Sequence, residues 1–511
     1  MIPVATAAEM RALDAATIAD LGLPGAVLME TAGRGVAAAA AARLTAGGAI
    51  AVVCGSGNNG GDGFVAARVL RAAELDAVVH LVAPRPRVTG DAALHLAAYE
   101  RSGGVISEAT TADDLIALGE ALRAAAVVVD AVLGTGLDRA VVGHLADVIE
   151  RINRAPGVRI AVDIPSGLSA DTGHPLGVAV RVDHTVTMAV PKLGIVGAPG
   201  FALAGTVEVI DIGVPRALAD AGTRAALIET ADAVGWAPCA GVLDHKGRRG
   251  HLLVVAGSPG KRGAGRLAAM AALRAGAGLC TLAGPPGAEA LAADAVMTAE
   301  IVDAEALRAL AAGKQALLIG PGMPDDEVGR GWLDAALEAG VPLVLDATAL
   351  VHLAGRLADL GRVGAPVVLT PHPGEAARLL GESTAAIERD RMLAVRTLAL
   401  RSRAVVVLKG ARTLVCDGTL GDDFVTINPT GGPALATAGS GDVLAGAIGA
   451  LLAQGLPAAT AARLAVWVHG TAGDSLATRL GSGVVASDLP EAFAVAMAAL
   501  RVAPGRRPRA S

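Results

Sequence analysis

The sequence predicts an α/β protein of two domains, each built around a largely parallel sheet. In both halves of the chain, short runs rich in Val, Ile and Leu alternate with longer Ala- and Leu-rich stretches, the pattern of parallel α/β folds. The length of 511 residues exceeds what one hydrophobic core usually serves. Residues 213–244 lack strand periodicity and contain several prolines and glycines, so we predict one domain over residues 1–222 and a second over residues 223–511.

Six strands are predicted in each half from short apolar and β-branched runs. In the first half they are residues 50–54, 77–82, 127–131, 159–164, 184–189 and 206–211, with helices at 62–73 and 91–101. In the second half they are residues 251–256, 278–282, 316–319, 343–346, 367–370 and 405–409, with helices at 267–275, 325–339, 443–453 and 458–475. Strands joined by helical crossovers pair in parallel, so the polar residues that follow them should meet at one edge of each sheet.

The composition limits the classes of partner and the location. Hydrophobic residues make up 53% of the chain, enough for a large apolar core in each domain. Aromatic residues make up only 2%, which argues against stacking on single-stranded nucleic acid, and the net charge of −6 disfavours duplex nucleic acid. Four widely spaced cysteines indicate a reducing compartment. With neither a signal-peptide pattern nor an apolar run of membrane-spanning length, we expect a soluble cytoplasmic protein without membrane contact.

The first predicted strand runs directly into a loop with five glycines between positions 55 and 63. A glycine-rich turn between strand and helix is a common phosphate or dinucleotide site, although this one lacks the G-x-G-x-x-G spacing. Its paired Asn58 and Asn59 offer carbonyl oxygens and amide donors, so the loop can hold a polar ligand or a hard cation. The alternative is an ordinary tight turn, which needs only one or two glycines.

Two more strand ends of the first half carry polar residues. Asp130 ends one strand and is followed by a Gly-Thr-Gly loop, while Asp163 ends the next and is followed by Ser166. These side chains and Asn59 should converge at the sheet edge; the alternative for each alone is a capping or loop-fixing role. Lys192 is a candidate polar partner, and an ordinary surface lysine is its alternative.

These three segments resemble the NAD(P)H-hydrate epimerase domain over about residues 1–215. The resemblance implies a Rossmann-like α/β/α domain that interconverts the R and S epimers of hydrated NADH or NADPH. The residues it implies at the hydrate are Asn58, Asn59, Gly60, Gly61, Asp62, Gly134, Thr135, Gly136, Leu137, Asp138, Arg139, Ala140 and Asp163. It also implies a potassium ion held by Asn59, Asp130 and Ser166. Asp163, assisted by Lys192, is our candidate for proton transfer.

In the second half, Gly439, Ser440 and Gly441 lead into Asp442 and an apolar, helix-forming run. Glycines let backbone N–H groups converge, and a helix N-terminus adds partial positive charge, which together form a phosphate cradle. An aspartate beside such a cradle would repel the anion, so a base that takes a proton from an attacking hydroxyl explains it better. The alternative is a helix N-cap.

Further strand ends of the second half carry Gly320–Gly322, His372 and Lys409. Alone, His372 is explained by a loop or helix-start role, and Lys409 by a strand-end lysine that reaches solvent. Their shared place at the carboxyl ends of strands, in one domain with Asp442, favours a common site.

These motifs resemble the ADP-dependent NAD(P)H-hydrate dehydratase of the ribokinase-like superfamily over about residues 225–500, and the whole chain resembles the bacterial bifunctional NAD(P)H-hydrate repair enzymes. The residues implied at the hydrate are Ala264, Gly322, His372 and Asp442. The residues implied at the adenine nucleotide are Lys409, Gly410, Ala411, Arg412, Thr413 and Gly441. The charged pair Lys261 and Arg262 departs from the small or aromatic residues expected there.

The resemblance implies that Asp442 takes the proton of the C6 hydroxyl as that oxygen attacks the β-phosphorus of ADP, with Mg²⁺ and the N–H groups of residues 439–441 stabilising the charge. AMP and phosphate are then released and the dihydronicotinamide is restored. One alternative is a ribokinase-like kinase that makes a stable phosphoester of a small alcohol. Another makes the first domain a non-catalytic nucleotide-binding module. We also expect a homo-oligomer.

Overall fold

The structure is a computed structural model that describes residues 1–45, 47–239, 241–286, 294–421 and 423–502. Two compact units divide it: one is Pro3–Arg224, and the other combines Met1–Ile2 with the chain from Ala225 onward. The division falls two residues beyond the predicted boundary. Among the helices described, none is both long and apolar enough to cross a membrane.

The first unit alternates strands with helices. After β1 (Ile2–Val4), its elements are α1 (Ala7–Leu21), α2 (Gly25–Ala41), β2 (Ala49–Cys54), α3 (Asn58–Ala72), β3 (Ala77–Leu81), α4 (Gly90–Arg101), β4 (Ile106–Glu108), α5 (Ala112–Ala124), β5 (Ala125–Ala131), α6 (His144–Arg154), β6 (Val158–Val162), β7 (His184–Met188), α7 (Leu193–Val196), α8 (Phe201–Ala204), β8 (Thr206–Ile210) and α9 (Arg216–Gly222). Strands β2–β8 form one parallel sheet in the order β4-β3-β2-β5-β6-β7-β8. The chain moves outward from β2 to β4 and then returns to β5, so the topological switch point lies between β2 and β5, where α/β sheets bind ligands.

The second unit repeats the α/β pattern with a different strand order. Its elements are β9 (Ala225–Leu227), α10 (Thr230–Trp236), β10 (His251–Val255), α11 (Arg262–Arg274), β11 (Leu279–Gly284), β12 (Met297–Glu300), α12 (Ala304–Ala311), β13 (Ala316–Ile319), α13 (Glu327–Leu337), β14 (Leu343–Leu345), α14 (Thr348–Leu353), β15 (Val367–Leu369), α15 (Pro373–Leu380), α16 (Thr384–Arg389), α17 (Arg391–Ser402), β16 (Val405–Leu408), β17 (Leu414–Asp417), β18 (Val425–Ile427), α18 (Ser440–Ala453), α19 (Ala458–Leu480) and α20 (Leu489–Val502). From β9 the strands follow the order β9-β18-β17-β16-β15-β14-β13-β10-β11-β12. Strand β17 runs antiparallel to both neighbours, while the pairs from β16 to β12 are parallel. The switch point here lies between β10 and β13.

The predicted α/β class is confirmed, with a largely parallel sheet in each unit. All twelve predicted strands occur within two residues of their expected bounds. The short strands β1, β4, β9, β12, β17 and β18 were not predicted, and β9 lies inside the stretch expected to lack strands. Three or four residues carry too little periodicity to be recognised without their neighbours in the sheet.

Helices α3, α11 and α18 begin three to five residues earlier than predicted. Their first turns consist largely of glycine and polar residues, which have low helix propensity and therefore resemble loops in sequence. Packing explains the glycines of α3: a Cβ on Gly60 would lie 2.1 Å from the Gly55 carbonyl oxygen, and one on Gly63 would lie 2.7 Å from the Cys54 sulfur. These glycines serve close approach of helix and strand rather than a turn.

Small residues also bring α18 against α11. A Cβ on Gly446 would lie 2.1 Å from the carbonyl oxygen of Ala268, so the two helix backbones touch. Every residue of α18 from Val443 to Ala453 is buried. Since α18 is fixed along its length, the polar residues of its first turn are held rigidly at the edge of the sheet.

Two candidate active sites

The first site forms at the switch point between β2 and β5. Cys54 and Ala131 pair at the carboxyl ends of these strands, so the segments that follow them leave the sheet side by side. Helix α3 follows β2, and its N-cap Gly57 makes no side-chain capping bond. The free N–H groups of such a helix start favour an anionic ligand.

Asp130, Ser166 and Asn59 meet at this edge. Ser166 donates its backbone N–H to Asp130 Oδ2 at 2.8 Å and its hydroxyl to Asp130 Oδ1 at 2.6 Å. The Leu133 N–H donates to Ser166 Oγ at 2.8 Å, and Asn59 Nδ2 donates to the Leu133 carbonyl at 3.1 Å. Asp130 is fully buried, and burial raises the pKa of its carboxyl group to about 6, against the hydrogen bonds from Ser166 and Val132.

The surroundings of Asp130 suit a cation held by oxygen atoms. In the described part of the first unit, no lysine, arginine or histidine lies within 4 Å of this buried carboxylate. A buried charge without a partner is unfavourable, and a bound cation would remove that penalty. The described residues contain no group of three or more His, Cys, Asp or Glu side chains placed to hold a metal ion, so the donors available beside the Asp130 carboxylate are neutral groups.

Asp163 follows β6, the neighbour of β5 in the sheet, and pairs with the buried Lys192. Asp163 has a left-handed backbone (φ 65°), and its Oδ1 accepts from the Lys192 ammonium, from Thr187 Oγ1 at 3.0 Å and from the Met188 N–H at 3.3 Å. Lys192 is only 1% exposed and also donates to Thr187 Oγ1 at 3.2 Å and to the Met188 carbonyl at 2.9 Å. The surface-lysine alternative is therefore wrong for Lys192.

The remaining residues implied at the hydrate lie on two segments. Asn58 is exposed in the first turn of α3, Gly60 and Gly61 are buried, and Asp62 follows on the same helix. Burial raises the pKa of the Asp62 carboxyl group well above its usual range, and the charge of Asp163 adds to this. Gly134 packs against the Asn59 side chain, and the loop continues to α6. On that loop Thr135 and Leu137 are partly buried, whereas Gly136, Asp138, Arg139 and Ala140 are exposed.

The second site forms at the switch point between β10 and β13. The Gly257 N–H after β10 donates to the Pro321 carbonyl after β13 at 2.9 Å, which ties the two strand ends together. Gly322 has a positive φ of 61°, and a Cβ there would lie 3.3 Å from the Cβ of Ala264 and 2.5 Å from the Lys261 carbonyl oxygen. The structure therefore brings Ala264 and Gly322 together, as expected, and the exposed Lys261 adjoins them.

Asp442 stands in the first turn of α18. The N-cap of this helix is Gly439 (φ 92°) and Asp442 is the third helical residue, so the N-cap alternative for Asp442 is wrong. The turn is held from behind by His469, whose Nε2 lies 3.1 Å from the Ser440 carbonyl oxygen and 3.2 Å from Ser440 Oγ. Burial lowers the pKa of His469 to about 4.

Lys409, Asp346 and Glu375 surround this turn. Lys409 Nζ donates to Asp346 Oδ1 at 2.8 Å and lies 3.8 Å from Glu375 Oε2, and a Cβ on Gly441 would lie 3.3 Å from Nζ. Burial raises the pKa of Asp442 to about 7; the charges of Asp346 and Glu375 add to this and that of Lys409 opposes it. The solvent-reaching alternative for Lys409 is wrong, because only 18% of its side chain is exposed.

His372 occupies the N-cap of α15. Its Nδ1 accepts from the N–H groups of Gly374 at 3.0 Å and Glu375 at 3.3 Å, while Glu375 Oε2 accepts from the His372 N–H at 2.8 Å. The helix-start alternative thus describes its local role. That role fixes the ring and leaves its side chain 57% exposed at the carboxyl end of β15.

A tight turn follows β16 and carries the residues implied at the nucleotide. Gly410 (φ 136°) and Arg412 (φ 55°) both have left-handed backbones, and Thr413 Oγ1 donates to the Gly410 carbonyl at 2.9 Å. Arg391 of α17 holds the turn, donating to the carbonyls of Ala411 and Lys409. Arg412 Nη1 donates to the Pro429 carbonyl at 2.7 Å, so its guanidinium faces the loop after β18.

Several residues that contact these sites were not assigned a role from sequence. They are Asp346, Glu375, Arg391 and His469. Asp346 and Glu375 stand in motifs at strand ends, which is the signal that sequence offers for them. Arg391 and His469 lie within helices, where a polar residue in an amphipathic pattern has no distinguishing mark.

Comparison with known proteins covers both halves of the chain. A family model described as NAD(P)H-hydrate dehydratase matches residues 252–494, and one described as YjeF-related protein N-terminus matches residues 25–194. A bifunctional NAD(P)H-hydrate repair enzyme of Moorella thermoacetica is 41% identical, covering 95% of this chain and 94% of that protein. A bifunctional NAD(P)H-hydrate repair enzyme of Thermofilum pendens is 39% identical, covering 98% of this chain and 97% of that protein.

Among solved structures, an ADP/ATP-dependent NAD(P)H-hydrate dehydratase from Bacillus subtilis, co-crystallised with ATP and Mg²⁺, is 29% identical with a TM-score of 0.48. It covers 53% of this chain and 97% of that one. Both family models match, and the curated relatives align along nearly the whole chain. The chain belongs to the family of bifunctional NAD(P)H-hydrate repair enzymes.

Proposed function

We propose that the first unit interconverts the R and S epimers of hydrated NADH and NADPH, and that the second unit dehydrates the S epimer with ADP, releasing AMP and phosphate. The observation that carries this proposal is Asp442, a carboxyl group of raised pKa in the first turn of α18, beside the Lys409–Asp346 ion pair. A base next to a helix N-terminus is the arrangement that phosphoryl transfer to a hydroxyl requires.

Dehydration begins when the C6 hydroxyl of the hydrate loses its proton to Asp442 and its oxygen attacks the β-phosphorus. The backbone N–H groups of Gly439, Ser440 and Gly441 would stabilise the negative charge on the transferring group. Lys409, held in place by Asp346, would neutralise phosphate charge at the same point. Phosphate then leaves from C6 with the C–O electron pair, and loss of a proton from C5 to water restores the double bond of the ring.

The second unit's carboxylates fit Mg²⁺, which is commonly bound through one or two carboxylates together with substrate phosphates. Asp346 and Glu375 would supply such oxygen donors beside Lys409. When bound, Mg²⁺ neutralises charge on the transferring phosphoryl group. We further propose that the turn at residues 409–413 binds the nucleotide and that Ala264, Gly322 and His372 contact the hydrate. The choice of ADP over ATP follows from the family resemblance alone.

For epimerisation we propose Asp163 as the proton-transfer group, held in place by the Lys192 ammonium. The lysine uses its three donors on Asp163, Thr187 and the Met188 carbonyl, so it orients the carboxylate and does not move freely. A potassium ion at Asn59, Asp130 and Ser166 fits the single buried carboxylate, which one positive charge would balance. The hydrate would lie along residues 58–62 and 134–140. A homo-oligomer and a cytoplasmic location stay predictions.

One assay tests the function and separates it from an ordinary kinase. The protein is mixed with the S epimer of hydrated NADH, Mg²⁺ and either ADP or ATP, and the absorbance of the dihydronicotinamide is followed together with free phosphate. We expect the absorbance to recover with one phosphate released per ring restored. A stable phosphorylated product without phosphate release would instead support the ribokinase-like alternative. Pure R epimer, added without nucleotide, tests the first unit through the appearance of the S epimer.

A further inference from the structure

Helix α1 carries a carboxyl group, that of Asp14, with no partner of its own. Asp14 is partly buried, and among the described residues of the first unit its side chain makes no hydrogen bond and no ion pair within 4 Å. The other two acidic residues of this helix differ in this respect: Glu9 closes the capping box with Thr6, and Asp20 in the last turn is exposed. A partly buried carboxylate without a donor opposes folding, so packing and stability do not account for Asp14.

The N-terminal segment places this carboxyl group at the epimerase site. The Ala5 N–H donates to the Pro191 carbonyl at 3.0 Å and the Leu193 N–H donates to the Ala5 carbonyl at 2.9 Å, so the bonds flank Lys192 on both sides. Helix α1 begins at once after this contact, and its Met10 and Leu13 pack on Val190 in one apolar cluster.

Asp14 follows Leu13 and lies one helical turn beyond Met10, so it shares the face of α1 that packs toward residues 189–193. The charges of Lys192 and Asp163 also affect the pKa of Asp14. Burial raises the pKa of Asp14 to about 6, with the charge of Lys192 opposing and that of Asp163 adding to the rise, and Asp14 in turn contributes to the raised pKa of Asp62. The carboxyl groups of Asp14 and Asp62 therefore both respond to the charges of Asp163 and Lys192.

The charged groups on the other neighbour of α1 do not alter this arrangement. Helix α9 packs on α1 through Ala219, and its Arg216 and Asp220 pair with each other at 2.8 Å on the exposed side. Asp163, by contrast, accepts hydrogen bonds from the Lys192 ammonium and from two further donors. Two carboxyl groups of one site thus have opposite environments, the arrangement that separates an acid from a base.

We propose that Asp14 is the proton donor of the epimerase site and the partner of Asp163, an inference that rests on the proposed function of the first unit. Asp14 would protonate the C6 hydroxyl, which leaves as water with the C–O electron pair while the ring nitrogen forms the C=N bond. Water then adds to the other face of C6 and gives its proton to Asp163. One water leaves and one enters, one proton is supplied and one is taken, so the step needs no further reactant.

The test replaces Asp14 by Asn in the full chain, with Asp20→Asn on the same helix as the matched control. Conversion of pure R epimer to S epimer is measured between pH 5.5 and 8.5 and corrected for the enzyme-free rate. We expect kcat for the Asp14→Asn variant to fall by about 10²-fold or more at pH 6, the usual loss for a general acid, with KM little changed. The wild-type rate should decline above about pH 6 as the acid deprotonates, and the Asn variant should lack that decline.

Two further measurements separate this role from a structural one. Asp14→Glu should restore part of the rate and the pH-dependent decline, and the melting temperature of Asp14→Asn at pH 7.5 should equal or exceed that of the wild type. A rate within about twofold of wild type, or a lost rate with a lowered melting temperature, would overturn the proposal. If the wild-type protein itself does not interconvert the epimers, the proposed function of the first unit fails instead.

Discussion

Replacing Asp442 by Asn removes the proposed base of the dehydratase while keeping the size of the side chain. Loss of a general base typically lowers the rate by about 10²–10⁴-fold, which is a barrier increase of about 3–5 kcal/mol. We expect a rate loss near 10⁴-fold, because the two neighbouring carboxylates cannot readily replace Asp442 as the base. Asp346 and Glu375 both lie against the Lys409 ammonium. Epimer exchange in the same protein should persist, since its residues belong to the first unit.

The pKa of Asp442 makes this prediction pH-dependent. A base with a pKa of about 7 is about one-tenth ionised at pH 6 and about nine-tenths ionised at pH 8, so wild-type kcat/KM for the S hydrate should rise about tenfold over that interval and then level off. The Asn variant should show no such rise. The assay is recovery of dihydronicotinamide absorbance with ADP and Mg²⁺, and Glu491→Gln, which neutralises an exposed acid on α20, is the control.

Stability provides the check that the variant is folded. Burial raises the folded-state pKa of Asp442 above its unfolded value, so its contribution to stability is present at low pH and is lost as pH rises through about 7. At pH 8 the Asn variant should therefore melt no lower than wild type. Near-normal dehydration by the folded variant, or a wild-type profile flat from pH 6 to pH 8, would refute the base role of Asp442.

Three further outcomes are expected. Lys409→Met removes the cation that opposes the rise in the pKa of Asp442, so the pH profile of dehydration should move to higher pH. The KM for nucleotide should also increase. A pH profile that does not move would contradict the assigned effect of Lys409 on Asp442. Asp163→Asn should lower conversion of the R epimer by about 10²-fold or more and leave dehydration of pure S epimer intact, and equal loss of both activities would point to misfolding. Epimerisation should fall when K⁺ is replaced by a large organic cation, and Asp130→Asn should abolish that dependence on K⁺ as measured by initial rates at fixed ionic strength.

Much of each candidate site could be proposed from sequence because chemistry-bearing residues follow the strands. In a parallel sheet the carboxyl ends of all strands share one edge, so Asp130, Asp163, His372 and Lys409 could be placed at the edges of two sheets from sequence. Helices α3, α11 and α18 were predicted to begin about one turn too late, since glycine-rich first turns have low helix propensity and owe their conformation to packing.

By itself, the sequence determined the α/β class, two domains and the glycine–aspartate motifs, since local composition and alternation suffice for these. The tertiary structure alone decided which charges meet. Lys409 pairs with Asp346, 63 residues away in the sequence, and Lys192 pairs with Asp163, 29 residues away. Such pairs follow from strand order, and the raised pKa of Asp442 follows from burial together with neighbouring charges. Local sequence predicts neither the ion pairs nor the raised pKa, because desolvation and charge proximity arise only when distant segments meet at one edge of the sheet.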